Sequence, residues 1–434
     1  MLTALKTFLK FILIPVLYIG GILIMLASIF KEALWGLYLL IALIPQPNIW
    51  YKFHEYFMGK DFIDLLFFAI LIGLIIQRKE FVKTGNTTLI FIFIFVSYIS
   101  LWNCSLNFSL PLPITTSNEL LFSWKNYAQM IFMYFLVLTV VKEEDQQKVV
   151  VVIMALVILF LAIRSYRNFE GGASFSYDKR EGGPFEAVLL GANHYGAFIA
   201  YYCSAFIGLF LFDKDRRRRI LYLATSLFGL HPLFYSYSRG AYLAALGALT
   251  WMGIMKKRML LVPVIIILLT WQSILPPSVV DRITMTETQE GELESSAAHR
   301  IVLWEHAIKV FQQNPIFGIG FGGFRFTVPE EERLTDTHNF YVKTLSEQGV
   351  IGGVLLLLIL LKAFVSGWRL LKIGKTPFHQ GLGLGFIGCV IAIAIANLFG
   401  DRFSYFVLGS YFWIFWGLVD RGIIISNTEV QPLN

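Results

Sequence analysis

The chain has 434 residues, 56% apolar and only 15% charged, against about 25% charged in an ordinary soluble domain. Several apolar runs approach the roughly 20 residues that carry a helix across about 30 Å of hydrocarbon, and the alternation of a barrel strand is absent, which excludes a soluble domain and a transmembrane barrel. The net charge of +7 sits mostly in short loops between apolar runs, as membrane topology requires, and does not point to nucleic acid.

In chain order, apolar spans are expected at 8–29, 33–46, 62–77, 87–102, 120–141, 148–164, 188–212, 219–236, 241–255, 259–275, 340–363, 380–399 and 404–420. The fold class is therefore all-α and polytopic, with about 12–13 transmembrane helices and one large loop that contains a helix. The first run has no small-residue cleavage site and leads into further spans, so it reads as a span and not a signal peptide. RKEFVK at 78–83, KEEDQQK at 142–148, DKDRRRR at 213–219, KKR at 256–258 and WRLLKIGK at 368–375 are short and carry two or more Lys or Arg each, which places them in the cytoplasm. An even number of spans separates each pair of them, so the assignment is self-consistent. Thirteen spans put the N-terminus outside, whereas Lys6 and Lys10 favour the inside; a re-entrant segment among the first two would reconcile the two. The remaining loops, including 45–61, 105–118, 165–186 and 400–403, are then extracytoplasmic.

Three divisions follow: 1–275 with helices and short loops, a large periplasmic loop at 276–338, and 339–434 with the last spans and a short tail. The large loop opens on Pro276 and Pro277 and continues through the acidic TETQEGELE stretch, 286–294. A helix is expected from about Ala297 to Gln313, with Ser295 or Ser296 as N-cap and Pro315 and Gly318 ending it. Ile301, Trp304, Ile308 and Phe311 share one face of that helix and are expected to pack on the membrane domain.

Two motifs invite misreading. GIGFGGF at 318–324 matches GxGxxG, but a helix precedes it where a dinucleotide fold needs a strand; a tight turn is the better reading. DKD at 213–215 abuts RRRR and reads as a charged boundary, not a nucleotide-sugar site. Cys104, Cys203 and Cys389 have no zinc or disulfide spacing, and the spacing of His299, Glu305 and His306 is not that of a helical metal pair. No metal or other cofactor is expected.

What remains on the outer side is a set of polar residues at span ends. Arg239 lies in SYSRGAYLAAL, Arg300 at the start of the loop helix, and His338 and Asn339 where the loop re-enters the membrane. Lys343 follows one turn inside, Asn193 and His194 lie in LLGANHYGAF, Asp401 and Arg402 occupy the last outer turn, and Arg164, Arg167, Lys179 and Arg180 flank the loop before residue 188. Arginine near hydrocarbon is costly unless it is paired or holds a ligand, and its planar fork suits phosphate oxygens. A histidine with an ordinary pKa near 6.5 can take a proton at neutral pH. Together they suggest a lipid-linked diphosphate and a general base for an acceptor hydroxyl.

SRGAYLAAL at 238–246, AHRIVLWEHAIKVFQQNPIFGIGFGGF at 298–324 and THNFYVKTLSEQGVIGG at 337–353, in that order among many spans, resemble the O-antigen ligase and polymerase superfamily. The resemblance covers the chain from about residue 185 onward. It implies a metal-independent, inverting glycosyltransferase of the bacterial inner membrane whose active site faces the periplasm. The donor would be a glycan on undecaprenyl diphosphate, and membrane lipid would surround it. Carried over by position, Arg239 and Arg300 would bind the diphosphate and His338 would be the base. Asn339, Asn193, His194, Lys343 and Arg402 are expected to line the donor or acceptor, with an Asp401–Arg402 ion pair as a structural alternative for the last. A ligase, whose acceptor is a sugar of the lipid A core, is favoured over a repeat-unit polymerase. Protein-modifying relatives usually carry a larger C-terminal region than is expected here after residue 420. A lipid-linked sugar transporter is the alternative of another class, although the matched halves of such proteins are not visible.

Overall fold

The computed structural model describes residues 2–171, 174–285, 295–328 and 336–428, and is all-helical over them. The acidic stretch 286–294 lies outside the described residues, as do the side chains of Lys6, Lys10, Ser295 and Ser296. The helices are α1 (Leu2–Phe30), α2 (Ala33–Leu43), α3 (Pro47–Trp50), α4 (Phe62–Ile76), α5 (Thr87–Asn107), α6 (Glu119–Val140), α7 (Glu144–Asn168) and α8 (Ala192–Phe212). They continue with α9 (Arg216–Tyr235), α10 (Arg239–Met255), α11 (Leu261–Ile274), α12 (Pro277–Thr284), α13 (Ser295–Gln313), α14 (Phe340–Ile373), α15 (Pro377–Ala396) and α16 (Phe406–Thr428).

Each expected span coincides with a helix. Among the described residues, seven helices are long and apolar enough to cross a membrane alone, and nine if two bent pairs each count as one span. The bends have local causes. After α2 the chain turns by 100° into Pro47–Glu55, where Pro45 and Pro47 interrupt the helical ladder. After α11 it turns by 104° into α12 at Pro276 and Pro277. Thus the large loop begins with a short amphipathic helix that its polar composition had concealed.

Small residues let the central helices meet. A Cβ at Gly208 would overlap the Gly385 backbone, and one at Gly385 would overlap the Ala205 carbonyl; α8 and α15 therefore pack backbone to backbone, as membrane helices with small residues do. α16 buries its aromatic face, including Trp413 and Trp416, against α6 and its neighbours.

The longest helix, α14, is broken at Gly349, with φ 63° and ψ −164°, a conformation essentially reserved for glycine. The break releases carbonyls, and the 315–321 segment takes them: Ile319 N–H donates to Ser346 O at 3.0 Å and Gly320 N–H to Glu347 O at 2.7 Å. In return Val350 N–H donates to Pro315 O at 2.8 Å. The glycine-rich stretch thus fills the kink. Gly320, at φ 108°, lies so near α5 that a Cβ would overlap the Cys104 backbone, and Phe321 N–H donates to Ser100 O at 3.1 Å. This close approach accounts for the GxGxxG pattern.

The loop helix α13 packs differently from expectation. Its buried residues are Leu303, Ala307 and Val310, packed with Phe324, while Ile301 and Ile308 are exposed. The helix has apolar residues on more than one stripe, so periodicity alone cannot say which stripe packs. Trp304 sits at the edge, its indole N–H donating to Thr337 O at 2.9 Å. That bond ties α13 to the segment entering α14.

Candidate functional site

The site is built around the first residues of α14. Asn339 is the N-cap, its side-chain oxygen accepting from Tyr341 N–H at 3.0 Å and Val342 N–H at 3.2 Å, which satisfies two of the helix's unpaired donors. Phe340 N–H donates to Asn397 O at 2.9 Å and so anchors the helix start to the end of α15. His338, just before the cap, has φ 52°, the left-handed region that non-glycine residues visit rarely. The side chain stays 45% exposed, accessible to a substrate.

Asp336 folds back on this histidine. Its Oδ1 accepts from His338 N–H at 3.3 Å, and its Oδ2 faces His338 Nδ1 at 3.5 Å. Such a carboxylate beside Nδ1 favours the proton there and leaves Nε2 to act as base. Partial burial lowers the His338 pKa below the ordinary histidine value. Asp336 opposes that shift, while Arg300, Arg402 and His299 reinforce it. The ring is therefore neutral at pH 7.

The cations around it are deeply placed. Arg402 is 2% exposed. Its Nη2 donates to Phe399 O at 3.3 Å, its backbone N–H donates to the Asn397 side chain at 2.9 Å, and its buried Nη1 has no hydrogen-bond partner. Burial lowers its pKa to about 10, with Arg300 and Arg180 acting in the same direction, so it stays charged at neutral pH. Arg180 reaches in from the 165–190 loop. Its Nε and Nη2 donate to Ser236 O at 3.0 and 2.8 Å, and Nη2 also donates to Asn193 Oδ1 at 2.7 Å. Burial lowers its pKa to about 10, and Arg282 and Arg300 contribute. Two loops and α13 thus bring positive charge to one place, and an anionic ligand would relieve their mutual repulsion.

Of the residues expected from sequence, His338, Arg300, Arg402 and His194 come together: Arg402, Asp401 and His338 all lie within electrostatic reach of His194. The His194 ring meets Tyr405 edge-on at 5.0 Å between centroids, and its Nδ1 is buried without a hydrogen-bond partner. Asn193 is held by Arg180, and Asn339 caps α14. Arg239 is the first residue of α10, where Nη1 donates to Met285 O at 3.4 Å. The neighbouring Gly240 permits close contact with Phe399, because a Cβ would come within 2.9 Å of it; this brings the SRG turn against the loop that carries Arg402.

One pairing differs from expectation. Asp401 pairs with Lys343, Nζ to Oδ2 at 2.7 Å, and not with Arg402. The start of α14 presents the lysine directly to the 397–405 loop. Burial alone would raise the Asp401 pKa, but Lys343 and Ser404 outweigh it and hold the carboxyl below its ordinary value. Lys343 is thereby committed to structure, and Arg402 keeps its charge available.

Asp336 was missed by sequence reading, although its place two residues before His338 was the available signal. Arg180 was visible only as one of several loop charges. DKD is resolved as structural: Asp213 accepts two bonds from Arg218 at 2.7 and 2.9 Å, and Asp215 caps α9. Among the described residues, no three His, Cys, Asp or Glu side chains converge as a metal site would require.

None of the curated proteins compared matches the chain. Residues 224–357, which include Arg239, Arg300 and His338 but not Arg180, His194 or Arg402, match the O-antigen ligase family model.

Proposed function

We propose that the chain is an O-antigen ligase: an inverting glycosyltransferase that moves a glycan from undecaprenyl diphosphate to a sugar hydroxyl of the lipid A core, at the periplasmic side of the bacterial inner membrane. The observation that carries this reading is the neutral, half-exposed His338 held beside Asp336 and next to Arg300 and the buried Arg402. The family match over 224–357 supports the general class. A base alone would suit many reactions. A base next to arginines suits one in which a hydroxyl loses a proton while a diphosphate gains charge.

In this mechanism the acceptor oxygen attacks the anomeric carbon of the donor glycan. Its proton passes to His338 Nε2. The bond from the anomeric carbon to the diphosphate oxygen breaks with its electron pair, and the lipid diphosphate leaves. Arg300 and Arg239 bind that diphosphate, and Arg402 and Arg180 add a fixed positive field that strengthens as charge builds on the leaving group. Attack opposite the leaving group inverts the anomeric configuration.

The test is a lipopolysaccharide gel from a strain lacking the protein, with a parallel assay of the undecaprenyl-linked glycan. A ligase predicts loss of surface glycan and accumulation of long lipid-linked polymer, reproduced when the complementing copy carries His338→Ala. A core bearing a single repeat with no ladder would identify a polymerase instead. Normal pools of both kinds would sink the transferase reading for this glycan.

A further inference from the structure

The loop between α7 and α8 builds a cavity close to the His338 site. Phe169, just past α7, packs its ring against Tyr235 and His231 of α9 at 4.1 and 5.3 Å between centroids. Glu181 N–H donates to Tyr235 O at 2.9 Å. Gly183, at φ 60°, turns the chain tightly against Tyr195, whose ring a Cβ would meet at 2.6 Å. The space left between this loop and the end of α7 is about 400 Å³, lined by Arg164, Ser165, Lys179, Glu181 and Glu186 among others, within the range of small-molecule sites.

Its chemistry is unlike that of the His338 site. Glu170, Asp178, Glu181 and Glu186 share the walls with Arg164, Lys179 and Arg180, so donors and acceptors are both on offer. A diphosphate would meet the carboxylates, and an acyl or prenyl chain would strip water from all of them at a cost. A polyhydroxyl ligand matches both kinds of partner. Ser165, only 3% exposed, lines the cavity with its hydroxyl beside the Glu181 carboxyl. Burial holds the Glu181 carboxyl above its ordinary pKa, as in a partly dry site.

Arg180 is the partition between the two sites. It lines the cavity, yet its guanidinium bonds Asn193 and Ser236 O, three residues before Arg239. We infer that this cavity is a saccharide subsite that holds sugar units of a glycan whose reacting end lies at the His338 site. The inference rests on the glycan-transfer reading and adds where the glycan is gripped.

The test uses the full-length protein in detergent and, as probe, the oligosaccharide released by mild acid from the host's lipid-linked glycan pool. Wild type should bind it saturably. Arg164→Ala and Glu181→Gln should each weaken binding by about tenfold or more, the loss of hydrogen bonds to charged groups, while His338→Ala binds like wild type. Glu181→Gln preserves shape, so an unchanged elution profile for it shows that lost binding is not lost folding. Absence of saturable binding to wild type, or equal binding by both cavity variants, overturns the subsite. Transfer from intact lipid-linked donor, assayed in parallel, separates the two readings. Binding without any transfer by wild type would keep the subsite and sink the transferase, whereas normal transfer with unaffected cavity variants would sink the subsite alone. A raised KM for donor in the variants assigns the cavity to the donor glycan, and a raised KM for acceptor assigns it to the acceptor.

Discussion

Two buried polar clusters lie at opposite ends of α14, and they are finished differently. At the far end Asp420 accepts from Tyr134 Oη at 2.5 Å and Asn86 Nδ2 at 2.8 Å. Asn86 also donates to Ser366 Oγ at 3.0 Å, Trp416 donates to the same oxygen at 3.1 Å, and Thr84 bonds Tyr134 at 2.7 Å. A buried carboxyl group is costly in a membrane unless it is partnered, and Oδ2 of this one has two donors. At the near end Arg402 Nη1 and His194 Nδ1 are buried without partners, several arginines face one another, and His338 is left half-exposed. A network that serves folding closes its valences, whereas one that serves a ligand leaves them for the ligand to close.

The comparison predicts that variants of the groups left open at the near end fail in chemistry, and that variants of closed pairs at either end fail in stability. The largest effect is expected from His338→Ala. Loss of a general base should lower transfer by about 10²–10⁴-fold, with a melting temperature close to wild type because the ring is half-exposed. A comparable loss of stability instead of rate would make His338 a structural residue. Next comes Lys343→Met, which strands the Asp401 carboxylate in a buried setting. Removing one partner of a buried pair costs about 3–5 kcal/mol, so thermal unfolding should occur well below wild type. The double variant Lys343→Met/Asp401→Asn should recover part of that loss, and a double variant no better than the single one would show that the pair is not the reason. Asp420→Asn should be milder, about 1–3 kcal/mol, since it puts an amide donor among donors. Its kcat/KM should match wild type once corrected for folded protein. A selective loss of kcat/KM there would break the division between the two clusters.

Sequence carried much of this architecture. Thirteen apolar runs located thirteen helices because burial in lipid demands an unmistakable composition. Local rules failed where partners are remote in sequence. The packing stripe of α13 depended on Phe324 and Val342, which periodicity cannot see. The Gly349 break depended on a segment some thirty residues earlier that takes its freed carbonyls. In the site, His338, Arg300 and Arg402 stood out because charge at a span end is rare. Asp336 did not, because a carboxylate in a polar loop is ordinary until a left-handed residue folds it onto a histidine. Asp401 was given the wrong partner, since sequence adjacency to Arg402 says nothing about which cation the next helix presents.

The smallest expected effect tests the near cluster most closely. A base acts only when neutral, so transfer should hold as pH falls from 7 and decline only as pH passes below the His338 pKa, itself lowered from about 6.5 by burial and by the arginines. Asp336 pulls that pKa upward. Asp336→Asn should therefore move the acid limb to still lower pH, by less than about one unit, and reduce the plateau severalfold because a weaker base is left. Arg300→Ala should move the limb the other way, toward the ordinary histidine value, whatever it does to the rate through the diphosphate. Two substitutions around one ring would then shift one limb in opposite directions. A general loss of folding would shift neither, and a base located elsewhere in the chain would leave both limbs where wild type has them.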